Sequence, residues 1–137
     1  MITIFVKSYL GALSPICGCG VAAGVGCAAG LTLLRGGSEH QIEASILNMI
    51  AGLTGMLCDG AELGCAYKLA VAVDAAIDAS NMALAPADDY PLRRDIPGDN
   101  GILSESAEQS IINMAMVSSK GMAATDSVIV EIMQEKC

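Results

Sequence analysis

The chain has 137 residues, 53% of them hydrophobic and 16% charged, with a formal net charge of −8. That length suits one domain, and that hydrophobicity excludes intrinsic disorder. Seven basic residues against fifteen acidic ones form no patch that would neutralise nucleic-acid phosphates.

With no Trp, one Phe and three Tyr, burial falls to Ala, Gly, Met, Leu and Ile. Small residues let helices approach closely. The expected fold is one all-α domain over residues 1–137, a compact bundle of about five helices around a central Gly/Ala-rich helix pair. So apolar a chain has surface left over for a partner.

Ile2–Val6 is the one stretch that reads as a strand. Ser8–Leu34 carries no charge and is long enough for a membrane span, but Pro15 and six glycines between Gly11 and Gly30 interrupt it. The reading is therefore a Gly/Ala-rich helix over Cys17–Leu34, buried in protein and not in a membrane, with Gly36-Gly37 as its stop. Ser38 is an N-cap, and Glu39 lies in the first turn, where negative charge is favoured. Ile42, Ile46, Met49, Ile50 and Leu53 recur at helical spacing and carry this helix to Met56. Asp59-Gly60 breaks it. An alanine-rich helix over Ala61–Leu84 is apolar nearly all round, which predicts a central position. Pro86–Asn100 holds three of the four prolines, four aspartates and Arg93-Arg94, and reads as a surface loop. Ser106 and Gln109 fit a capping box. The helix they open has Ile111, Ile112, Met114, Ala115 and Val117 as its apolar face and Gly121 as its end. Thr125 caps a last helix to Met133, with Val128, Ile129, Ile132 and Met133 as its buried face.

The six cysteines are Cys17, Cys19, Cys27, Cys58, Cys65 and Cys137. Around Lys7 there is no signal-peptide order of apolar core and small-residue cleavage site, and bulky Ile16 before Cys17 argues against a lipoprotein site. The chain reads as cytoplasmic, where cysteines more often ligate metals or react than form disulfides. On one continuous helix Cys58 and Cys65 would stand about 10 Å apart along the axis, too far for a compact metal centre. With Cys58 in a turn and Cys65 in the helix after Asp59-Gly60, the thiols come together beside a helix N-terminus that favours thiolate and an anionic cluster. Cys17 or Cys19 would add a third thiol. Three cysteines and an open iron would make a [4Fe–4S] centre that acts as a Lewis acid, whereas electron-transfer clusters use four. The spacing lacks the close Cys-x-x-Cys pairs of zinc sites and common ferredoxins. Buried structural cysteines are thus the other reading, and on spacing alone the commoner outcome. Cys27 and the methionines read as core, and Cys137 as a tail thiol. His40 is the only histidine and lies exposed in a first helical turn, unsuited to be a catalytic base. No Ser-His-Asp assembly and no phosphate-binding glycine motif is present.

Three segments carry a resemblance. Ser14-Pro-Ile-Cys-Gly-Cys-Gly-Val-Ala-Ala-Gly-Val-Gly-Cys-Ala-Ala-Gly-Leu31 resembles the glycine-rich segment of the serine dehydratase alpha-chain-like family, closest to its L-cysteine desulfidase branch. Asn48-Met-Ile-Ala-Gly-Leu-Thr-Gly-Met-Leu-Cys-Asp-Gly-Ala-Glu-Leu-Gly-Cys-Ala-Tyr-Lys68 is similar to that branch's second motif. Gly121-Met-Ala-Ala-Thr-Asp-Ser-Val-Ile-Val-Glu-Ile-Met133 looks like the family's C-terminus. The resemblance implies an oxygen-sensitive [4Fe–4S] cluster and elimination of water from serine, or of hydrogen sulfide from cysteine. The aminoacrylate product then hydrolyses to pyruvate and ammonia. By motif, Cys58 and Cys65 would be cluster ligands and Cys17 the third, with Cys19 as the alternative. The open iron would bind the substrate's leaving group. Lys68 would meet the carboxylate of a small amino-acid substrate, unless it is a plain surface lysine. Relatives carry a C-terminal cysteine that reaches their active site, which gives Cys137 a second reading. The resemblance covers only the family's C-terminal third. It therefore implies a companion N-terminal domain or subunit, no activity without it, and a homo-oligomer. The competing expectations are a non-catalytic helical interaction or oligomerisation module and, third, a small membrane protein using Ser8–Leu34.

Overall fold

All regular structure among the described residues is helical. The computed structural model describes residues 1–58, 60, 63–86, 101–104 and 106–135, without the side chains of 126, 133 and 135. Asp59, the expected helix start at Ala61, nearly all of the loop expected over Pro86–Asn100, and Cys137 lie outside them. In chain order the helices are α1 (Ile2–Leu10), α2 (Ala23–Leu34), α3 (Glu39–Leu53), α4 (Gly64–Leu84), α5 (Ala107–Met116) and α6 (Thr125–Glu135). π-Helical turns at Gly18–Ala22 and Val117–Gly121 precede α2 and follow α5.

The strand expected at Ile2–Val6 is instead the start of α1. Its β-branched residues favour a strand locally, but Val6 and Leu10, one turn apart, are buried in the core. Packing against α2 overrides propensity. The helix expected from Cys17 opens as a π-helical turn with Cys17 as its cap, and stops at Leu34 as expected. Ser38 caps α3 through a full capping box with Gln41. This helix ends at Leu53, short of Met56, because the Met56 carbonyl accepts the Cys17 N–H at 2.9 Å and the chain must leave the helix to present it. Ser106 caps α5 by accepting the Gln109 N–H at 3.1 Å. The Gln109 side chain donates to Asn113 instead of closing a box.

α2 is the centre. It packs on both α3 and α4, which also pack on each other, while α1 leans on α2 and α5 lies against α3 and α1. Close approach depends on Gly24, where a Cβ would stand 2.8 Å from Met49 Cε and 3.3 Å from the Ala72 Cβ. The core joins Val6, Val21, Val25, Met49, Ile50, Ile111 and Met114. Each large apolar side chain buried this way contributes about 1.5–3 kcal/mol.

Two expected buried faces differ. α4 buries only one stripe, Ala72, Ala76, Ala79, Ser80 and Ala83, because α2 and α3 cover one side of it and no described residue covers the rest. On α6 the expected buried residues Val128 and Ile132 are exposed and Ile129 is half-buried, since α6 makes only slight contact with the other helices.

Candidate functional site

The segment before the π-helical turn pairs with the segment after α3. Ile16 and Leu57 form an antiparallel bridge. On either side of it the Cys17 N–H donates to the Met56 carbonyl at 2.9 Å and the Cys58 N–H to the Pro15 carbonyl at 2.7 Å. In this register Cys17 lies opposite Met56, so Cys58 is its diagonal neighbour on the same face, a placement that sets such residues about 7–8 Å apart. The bridge has a third support, since the buried Ser118 hydroxyl accepts the Ile16 N–H at 3.4 Å.

Cys17 is buried, and its sulfur accepts the Gly20 N–H at 3.3 Å. Gly20 sits closely here: a Cβ would press on the Met56 sulfur and stand 3.5 Å from Cys17 Sγ and 3.6 Å from the Lys68 carbonyl. The early turns of α4 thus lie against the cysteine-bearing turn. Lys68, half-buried, donates from Nζ to the Leu57 carbonyl at 2.8 Å. It spans from α4 to the residue before Cys58. Cys58 and Cys65 are both half-buried, Cys65 in the first turn of α4. Cys19 is exposed within the π-helical turn.

Sequence reasoning passed over Lys7 as a site residue. Its ammonium donates to the Ala12 carbonyl at 3.2 Å and rests beside Gly18, 3.3 Å from where a Cβ would be. It also passed over Ser118. The Ile16–Ser118 contact joins residues 102 positions apart, and no local pattern signals it.

None of the five described cysteines is in a disulfide. Among the described residues no three His, Cys, Asp or Glu side chains are gathered closely enough to hold a metal ion. The structure therefore brings Cys17 and Cys58 onto one pair of bridged segments, and among the described residues does not draw Cys65 in with them as a compact set. Much of the turn between Cys58 and Cys65 lies outside the described residues. Cys27 is half-buried and packs against the core, and His40 is 94% exposed beside Glu43 at 4.0 Å. No helix among the described residues is long and apolar enough to cross a membrane.

The family described as serine dehydratase alpha chain matches residues 1–131. The chain belongs to the serine dehydratase alpha chain family. Its relatives include a UPF0597 protein of Clostridium tetani, 54% identical over 137 residues, which are 100% of this chain and 31% of the relative. A UPF0597 protein of Caldanaerobacter subterraneus subsp. tengcongensis is 54% identical over 136 residues, 99% of this chain and 30% of the relative. A third, from Clostridioides difficile, is 47% identical over 135 residues, 98% and 30% of the two chains. No solved structure matches. The chain spans less than a third of the length of these relatives. Within the family match fall all the residues that line the paired segments: Cys17, Gly20, Cys58, Cys65, Lys68 and Ser118.

Proposed function

We propose that this chain is the cluster-bearing part of a cytoplasmic lyase that eliminates hydrogen sulfide from L-cysteine, or water from L-serine, to give pyruvate and ammonia. It works together with the larger region that its relatives have, as the family's N-terminal part. The observation that carries this reading is the Ile16–Leu57 bridge. It joins Cys17 to Cys58 and takes the Lys68 ammonium on the Leu57 carbonyl.

The chemistry of three thiols suits a [4Fe–4S] cluster, and Cys17, Cys58 and Cys65 would be its ligands, although the described residues do not gather the three into a compact set. When bound, the cluster supplies a Lewis acid for the substrate's leaving group. The chain's own residues do the rest. Cys17 enters as the buried thiol, its sulfur accepting the Gly20 N–H. Cys65 lies at the positive end of α4, which favours thiolate. Lys68 offers an ammonium, a donor-only group, to the substrate carboxylate. The buried Ser118 contact keeps the Cys17 segment in place.

Anaerobic reconstitution with iron and sulfide tests this. The expected result is brown protein with about four irons per chain. Cys58→Ala and Cys65→Ala should lose that iron, and Cys27→Ala should keep it. Wild-type protein that holds no iron, alone or with the further region of its relatives, would overturn the cluster reading. The exposed apolar side of α4 favours a second reading, a helical interaction module that lacks catalysis. A stable metal-free oligomer would support it.

A further inference from the structure

α4 has two apolar stripes, and among the described residues only one is covered. The buried stripe runs through Ala72, Ala76, Ala79 and Ala83. Beside it Leu69, Val73 and Ile77 recur every fourth residue at 45%, 42% and 43% exposure. This spacing makes one continuous row on a helix. Such a row is the anchor pattern by which one helix seats another. Asp74 and Asp78, each one residue further on, are also exposed. A step of one residue is about 100° of helical rotation, so the two carboxylates run along one edge of the apolar row.

We propose that this row is the docking seat for the further polypeptide that the longer relatives have, and that it receives an apolar helix bordered by basic residues. The proposal rests on the companion-region reading above and names the surface that region uses. Two observations select this occupant. The relatives that match the chain along its whole length contain more than twice as much polypeptide again. The chain's formal charge of −8 and the carboxylate edge favour a basic partner over a second copy of itself.

The test co-expresses this chain, tagged, with the region of the Clostridium tetani relative that it does not match. Wild-type chain should capture that region. Val73→Glu/Ile77→Glu should reduce capture about tenfold or more, as loss of a central anchor does, and Asp74→Lys/Asp78→Lys should reduce it less and in a salt-dependent way. All four side chains are exposed, so the variants should keep wild-type helical circular dichroism and iron content. Leu34→Glu, exposed on α2, should bind normally. On binding, hydrogen exchange should slow across residues 66–77. Capture of the region by the Val73→Glu/Ile77→Glu variant overturns the docking seat but leaves the companion reading intact. A wild-type chain that captures nothing overturns both. A homodimer broken by the same pair, with companion capture unchanged, assigns the row to a second copy and overturns the proposal.

Discussion

Gly24 shows what a single missing methyl group does for this fold. The Ala72 Cβ that would meet a side chain there is fixed to the α4 backbone and cannot swing away, and Met49 is itself buried. Gly24→Val should therefore cost about 1–3 kcal/mol as overpacking, read as a lower midpoint in urea unfolding with an unchanged slope. Ile50→Ala acts in the opposite sense. It leaves a void in the middle of the core and should cost about 2–5 kcal/mol by the same measurement. Lys68 makes a functional prediction. If its ammonium meets the substrate carboxylate in ground state and transition state alike, Lys68→Met in the assembled enzyme should raise KM and leave kcat nearly unchanged. An equal loss in kcat with KM unchanged would place Lys68 elsewhere in the chemistry.

The elements differ in how far local signals determine them. Ser38 was legible as a cap because all its partners are within three residues, and the structure adds the reciprocal Gln41 bond. Ser38→Ala should cost about 1 kcal/mol, measured by thermal unfolding. α1 was not legible, because its β-branched run is locally strand-like and only the distant α2 makes it a helix. The apolar periods of α3 and α5 correctly marked Ile46, Met49, Ile50, Ile111 and Met114 as buried. In α4 the same kind of pattern misled. Apolar residues all round predicted a central helix, yet periodicity shows only that a face needs covering, not that the covering belongs to the same chain. α6 raises the same point. A helix of 11 residues that packs little on its neighbours is marginal in water. Its amides should exchange with solvent much faster than those of α2 in this chain alone.

At the scale of the whole molecule, the motifs single out Cys17, Cys58 and Cys65, and the fold pairs the segments that carry the first two. Cys17 and Cys58 are neighbours because a bridge forms between residues 16 and 57, a pairing that no short-range pattern reveals. Cys65 reaches the same region only because α4 packs on the π-helical turn. The proposed site thus lies where three segments cross. The uncovered row on α4 belongs to the same helix as Cys65 and Lys68. A region that seats on α4 would fix that helix at the end that carries Cys65 and Lys68, and so join docking to ligand placement. This argument predicts an order of assembly. Iron uptake by the chain alone should be slow or labile, and pre-binding the further region of the relatives should make it faster and more resistant to a chelator. Sulfide and pyruvate should be released from L-cysteine only by the loaded pair. The same chelator-resistance assay on the Val73→Glu/Ile77→Glu chain should behave as though the companion were absent. If companion and iron instead bind independently, with equal chelator resistance either way, the cluster site is complete without docking and the link between the two fails.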